Sequence, residues 1–143
     1  MVELDKVRSS NEQIATALSP GLVAVYVGAT SGIGELAMKG LVKHSVQPRV
    51  YFVGRSQKAA DRIVSELKTL NSGGEYIFIQ EDVSLIAGVD KVCQQIKARE
   101  TAINLLVQSQ GSFDLSTDEC FLCYPLHLLI KGGFFLCNIL IAW

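Results

Sequence analysis

The chain of 143 residues is 49% hydrophobic and 19% charged, which excludes a disordered or solvating polypeptide and allows one domain with a modest core. Its 13 basic and 14 acidic residues give a net charge of −1, without a polybasic block or an acidic tail, so charge suggests neither nucleic acid nor an anionic membrane as a partner. The start, MVELDKVRSSNEQIATALSPG, has no apolar run of the kind a secretory signal carries, and the four cysteines do not read as a secreted disulfide framework. A cytoplasmic setting is the expectation.

Residues 3–18 are predicted as an amphipathic helix with Leu4, Val7, Asn11, Ile14 and Leu18 on one face, ended by Pro20-Gly21. LVAVYV at 22–27 is a continuous valine-rich run, suited to a strand buried on both faces. A turn containing Gly28, Gly32 and Gly34 follows, and then a helix striped by Ile33, Leu36, Ala37, Leu41 and His44. RVYFV (49–53) is a second strand, and Ala59, Ala60, Ile63, Val64, Leu67 and Leu70 stripe the next helix, closed by Asn71-Ser72-Gly73-Gly74. EYIFIQ (75–80), a helix striped by Val89, Val92, Cys93 and Ile96, and INLLVQ (103–108) complete the alternation.

Such alternation implies right-handed βαβ units. The predicted fold class is α/β, a Rossmann-like parallel sheet, doubly wound and incomplete, with about four strands in the order 3-2-1-4. An irregular apolar tail follows. After residue 117 the periodicity is lost, in DECFLCYPLHLLIKGGFFLCNILIAW. The chain divides into a lead-in helix (1–20), a nucleotide-binding half (21–112) and an atypical tail (113–143), read as a change of frame, a retained intron or a truncation. Strand four is expected either to be an edge or to lean on that tail. The longest uncharged piece, 132–143, falls short of the roughly 20 residues that span a bilayer, so a membrane role is not expected.

The glycine turn has a physical reading of its own. Gly28 follows directly on a strand and supplies φ freedom for a sharp reversal. Gly32 removes a side chain where backbone approaches a pyrophosphate, and Gly34 lets the helix pack closely on the sheet. The helix begins at about Gly32–Ile33, so its free N–H groups and positive dipole end face the phosphate. Thr30 and Ser31 are positioned to cap it and to donate hydroxyls to a phosphate.

VGATSGIG, residues 27–34, resembles the cofactor loop of the short-chain dehydrogenase/reductase family, T-G-x-x-x-G-x-G, with Val27 in place of the leading threonine. The resemblance covers residues 22–112, and its finer likeness is to fungal reductases, many from secondary metabolism. The position about 20 residues past the glycines decides the nucleotide: a carboxylate there accepts from the 2′-OH of NAD. This chain has YFVGRS instead. Arg55 can pair with a 2′-phosphate, with Ser56 and Lys58 as further donors, which argues for NADP(H) over NAD(H). Arg55 and Ser56 also serve simply to open the next helix, with Ser56 as its N-cap. In EDVS, the resemblance implies that Asp82 accepts from the adenine amino group and that Val83 packs on the ring. The other reading makes Asp82 a solvated turn residue and Ser84 a helix N-cap. The family's N-N-A-G is replaced by VQSQG, where Gln108, Ser109 and Gly111 are candidates to line the adenine–ribose side.

The resemblance further implies hydride transfer between nicotinamide and a small-molecule carbonyl or alcohol, with self-association as a homo-oligomer. The proton donor of that chemistry is a Tyr whose phenolate a Lys four residues on stabilises. No Y-x-x-x-K exists in the sequence: Tyr26, Tyr51 and Tyr76 lie in predicted strands, while Tyr124 meets Leu128 at +4 and Lys131 only at +7, with Pro125 between. Asn138 stands near the place of the family's helix-four Asn, in surroundings that do not match. Cys120-x-x-Cys123 with His127 does not complete a metal site, and His44 reads as a helix-terminal cation or a packed imidazole. The sequence therefore points to an NADP(H)-dependent oxidoreductase without its catalytic pair. The alternative is a non-catalytic nucleotide-binding or partner-binding fragment.

Overall fold

The computed structural model describes residues 3–110 and the backbone of 139–141. Strands β1 (Val23–Val27), β2 (Arg49–Gly54), β3 (Glu75–Gln80) and β4 (Leu105–Gln108) pair in parallel, and β5 (Ile139–Ile141) runs antiparallel beside β4, giving the order β3-β2-β1-β4-β5. The Rossmann-like parallel core and the order 3-2-1-4 thus stand as expected. Strand four leans on the tail, through a segment whose sequence has no strand period.

Right-handed crossovers decide which face each helix covers. Helices α3 (Gly32–His44) and α4 (Gln57–Leu70) follow steps in one direction along the sheet, and α5 (Ile86–Lys97) follows the reversal from β3 to β4. One core therefore joins Met38, Leu41, Val42, Ala60, Ile63 and Leu67 to Ala24, Tyr26, Val50 and Phe52. The other joins Val89, Val92 and Ile96 to Val23, Val25, Val27, Tyr51 and Val53. Because alternate residues of β1 feed both cores, the whole strand is buried, which is why it reads as an unbroken apolar run.

Two helices differ from their sequence patterns. The predicted helix 3–18 is two pieces, α1 (Leu4–Glu12) and α2 (Ile14–Ala17), broken at Gln13. Only Ile14 of its apolar face packs against the core; Leu4 and Val7 stay exposed. In α3 the buried residues are Gly34, Glu35, Met38, Leu41 and Val42, whereas Ile33 and Leu36 are 78% and 69% exposed. The cause is the close approach of Gly34 to the end of the sheet. A Cβ there would collide with the Ser109 hydroxyl and stand 2.8 Å from the Gly28 carbonyl oxygen. Seating Gly34 fixes the helix rotation, and that rotation turns Glu35 inward.

Glu35 is accommodated by charge. Its carboxylate accepts two bonds from Arg62 of α4, both 2.9 Å, and a further one from Lys39; Arg62 and Lys39 also pair with Glu66. The Arg62 bonds foremost, with Lys39 beside them, hold the Glu35 carboxyl down at about 2 against the opposition of burial. At the amino edge of the sheet, Glu100 accepts from Arg49 at 2.8 and 3.0 Å and from the Tyr51 hydroxyl at 2.6 Å, tying the end of α5 to β2. Burial and then the Glu100 bond push the Tyr51 phenol up to about 12.

Two outcomes follow for stability. Gly34→Ala is expected to lose on the order of 1–3 kcal/mol through overpacking. Gly40→Ala in the same helix, where a Cβ meets nothing within 4 Å, is expected to gain about 0.5–1 kcal/mol from helix propensity. Urea midpoints that move in the same direction would contradict this account of the helix. For Glu35, the folded-state value lies below the unfolded one, so its stabilisation is full above 4.5 and is lost as pH falls toward 2. Glu35→Gln should therefore be less stable at neutral pH by on the order of 1–2 kcal/mol, discounted because Arg62 is half exposed. Urea titrations across pH should show the gap to the parent chain closing through that acidic window.

Candidate functional site

Four groups of sequence-predicted residues converge at the carboxyl ends of β1, β2, β3 and β4, the edge where open α/β sheets take ligands. At β1, Gly28 turns the chain with φ +80° and Gly32 opens α3 with φ +62°, both in the left-handed region that favours glycine. The Gly28 N–H donates to the Val53 carbonyl at 3.3 Å. Around Gly32 nothing lies within 4 Å of where a Cβ would stand, so a ligand has room there.

Ser31 is the N-cap of α3, but its side chain makes no capping bond. Capping by the Thr30 or Ser31 hydroxyl is thus not observed, and among the described residues no side chain accepts from the first-turn N–H groups. A thirteen-residue helix presents its positive dipole end at this point. The Thr30 methyl lies against Gly54, at the end of β2, where any Cβ would collide with it. Ile33 stands exposed on the first turn.

Beyond β2, Arg55, Ser56 and Lys58 are exposed. The Ser56 hydroxyl oxygen accepts from the Ala59 N–H at 3.3 Å and so caps α4, which leaves its proton available to another acceptor. The Arg55 carbonyl accepts from Gln80 Nε2 at 3.1 Å, fastening this corner to β3. Beyond β3, Asp82 Oδ1 accepts from the Ser84 N–H at 3.0 Å. Hydrogen bonds from Ser84, with a smaller contribution from the Arg55 charge, hold the Asp82 carboxyl below its ordinary value. Val83 packs partly against the α5 core. The helix starts later than a Ser84 cap would require, with Leu85 as its N-cap.

Beyond β4, the Ser109 N–H donates to the Val27 carbonyl at 2.9 Å, and its hydroxyl donates to the Gly28 carbonyl at 3.1 Å and the Val27 carbonyl at 3.4 Å. A Cβ on Gly28 would stand 2.5 Å from the Gln110 nitrogen and 2.6 Å from its Cα. The end of β4 therefore rests directly on the glycine turn. Gly111, Cys120, Cys123, Tyr124, His127, Lys131 and Asn138 lie outside the described residues.

Sequence reasoning missed three residues that shape this edge. Gly54 makes room for Thr30, Gly88 of α5 lies against the Asp82 carbonyl, and Gln110 covers Gly28. Each glycine is visible as a letter, but its neighbour is supplied by another strand or helix. Among the described residues no group of three His, Cys, Asp or Glu could hold a metal ion, and no helix is long and apolar enough to cross a membrane. Cys93 is partly buried, and burial pushes its thiol up.

Comparison with known proteins agrees with this architecture. Oxidoreductase andH of Emericella variicolor is 38% identical over 112 residues, covering 78% of this chain and 33% of that protein. An oxidoreductase of Emericella nidulans is 36% identical over 115 residues, covering 80% of this chain and 34% of that protein. The chain thus spans about a third of the length of these curated relatives. Among solved structures, L-sorbose reductase of Gluconobacter frateurii, in complex with NADPH and L-sorbose, matches with a TM-score of 0.62 and 26% identity over 69% of this chain and 36% of that one. The short chain dehydrogenase family matches residues 22–122. With its glycine turn, its 3-2-1-4 parallel core and these relatives, the chain belongs to the short-chain dehydrogenase/reductase family of oxidoreductases.

Proposed function

We propose that this chain forms the NADP(H)-binding half of an oxidoreductase that interconverts a small carbonyl compound and its alcohol. The observation that carries the nucleotide choice is the end of β2. Arg55 stands there exposed, with Ser56 and Lys58 beside it, and no carboxylate occupies the 54–58 corner to accept from a ribose 2′-OH. A guanidinium at that point suits a 2′-phosphate. The NADPH bound in L-sorbose reductase, and the family's use of nicotinamide cofactors, support the same reading.

When bound, the dinucleotide supplies the hydride. The chain's own residues hold it. First-turn N–H groups of α3, with the Thr30 and Ser31 hydroxyls, donate to the pyrophosphate over the open space at Gly32. Asp82 is oriented by its bond from Ser84 and stays ionised, so its remaining oxygen can accept from the adenine amino group while Val83 borders the ring. Exposed Ile33 offers an apolar contact on the same turn. Ser109 acts through the turn, since its hydroxyl is engaged with the Gly28 carbonyl.

The described tyrosines do not offer the acid such a reaction needs. Tyr26 is raised by burial in β1, Tyr51 by burial and Glu100, and the Tyr76 hydroxyl donates to the Asn71 carbonyl at 2.6 Å. Since the sequence also lacks a Tyr-x-x-x-Lys pair, Tyr124 included, the 143 residues alone are expected to bind NADPH without oxidising it when carbonyl substrates are offered.

NADPH fluorescence titration tests the proposal. The chain is expected to bind NADPH more tightly than NADH, and Arg55→Ala to weaken NADPH by about ten- to a hundredfold while hardly affecting NADH. Equal affinity for the two nucleotides, or an equal loss of both in Arg55→Ala, would remove the case for NADP(H).

A further inference from the structure

We propose that Gln110 is a cofactor-positioning residue: its amide oxygen accepts a hydrogen bond from a hydroxyl or N–H on the nicotinamide-side nucleoside of the bound dinucleotide. The inference rests on the nicotinamide-cofactor reading above and assigns a further contact within it.

Three observations converge on this residue. First, Gln110 Oε1 is a buried side-chain oxygen without a hydrogen-bond partner, the one such atom among the described residues. A buried acceptor left unpaired carries its full desolvation cost, and such exceptions call for a cause. Second, its place is fixed by backbone. The Gln110 nitrogen and Cα take the space a Gly28 side chain would occupy, and Ser109 locks the adjoining peptide to the turn through bonds to the Val27 and Gly28 carbonyls. The Gln110 backbone therefore lies directly against the phosphate turn, and its side chain has enough rotatable bonds to bring the orphaned amide to an arriving donor.

Third, the strand order gives the half of the ligand it meets. The adenosine-end candidates follow β2 and β3, the glycine turn follows β1, and β4 lies on the other side of β1. A dinucleotide with its adenosine over β2 and β3 and its phosphates at β1 extends its second nucleoside toward β4, one strand spacing away. Ribose hydroxyls and a carboxamide N–H are the donors that half carries. Ser109 gives its hydroxyl proton to the turn carbonyls and so holds the turn itself, one residue before Gln110.

The geometry makes an unusual joint demand. Gln110→Met keeps the volume and removes the acceptor. Without ligand this variant should unfold at a higher temperature than the parent chain, because an unsatisfied buried group is gone. With ligand it should bind NADPH about five- to tenfold more weakly, the ratio expected for one lost hydrogen bond. Binding of 2′,5′-ADP, which has no nicotinamide-side nucleoside, should be unchanged. Arg55→Ala, in contrast, should weaken both ligands.

Measured by thermal unfolding and by fluorescence or calorimetric titration, NADPH affinity in Gln110→Met equal to the parent's overturns the inference while leaving the cofactor reading intact. So does an equal loss of both ligands, which would mark a general disturbance of the turn. A parent chain that binds neither ligand overturns the cofactor reading, and this inference with it.

Discussion

The contact between the glycine turn and the end of β4 sets the rest of the molecule in place. Gly28 gives its side-chain space to the Gln110 backbone, and Gly34 gives its own to the Ser109 hydroxyl and the Gly28 carbonyl. These approaches leave one rotation for α3. That rotation sends Met38, Leu41 and Val42 into the core, turns Ile33 out at the mouth of the cradle, and drives Glu35 against α4. Burying a carboxylate would be costly if it were unpaired. The Arg62 and Lys39 partners are therefore a consequence of the cradle, and they in turn fasten α3 to α4.

The two edges of the sheet are built on opposite terms. At the amino edge, Arg49, Tyr51, Glu75 and Glu100 satisfy one another in a closed network. At the carboxyl edge, several groups have capacity to spare: the uncapped first turn of α3, the exposed Arg55, the second oxygen of Asp82 and the orphaned oxygen of Gln110. An edge with unspent donors and acceptors is less stable than it could be, and that is the usual condition of a site that waits for a ligand.

Most of the fold was legible because it rests on local periodicity. Valine-rich runs marked β1 and β2, and the stripes of α4 and α5 matched their buried faces at Ala60, Ile63, Leu67, Val89, Val92 and Ile96. The stripe chosen for α3 shared only Leu41 with the buried face, since a long-range contact at Gly34 overrode the apolar count and left Leu36 in solvent. The break at Gln13 was likewise invisible, and although β4 leaning on the tail was one of two expectations, the choice of Ile139–Ile141 was not legible, because neither depends on a pattern within its own segment. At the carboxyl edge, Gly28, Gly32, Arg55 and Asp82 stood out in the sequence as candidates by their places after strands. Gly54, Gly88 and Gln110 were not, because their purpose lies in what another element brings against them.

The departures from the family pattern also make sense only in three dimensions. Val27 replaces a threonine and removes a hydroxyl beside the turn, while Ser109 stands in VQSQG where the family carries asparagine. In sequence these are unrelated changes 82 residues apart. In the sheet β1 and β4 are neighbours, with Val27 level with Gln108, so Ser109 is the next residue along. Its hydroxyl reaches both the Val27 and the Gly28 carbonyls. The Ser109 hydroxyl thus fastens β4 to the turn, while the wholly apolar Val27 side chain fills the α5 core, where it is 2% exposed. The serine is engaged in holding the turn, and the following residue, Gln110, carries the buried side-chain oxygen that has no partner among the described residues.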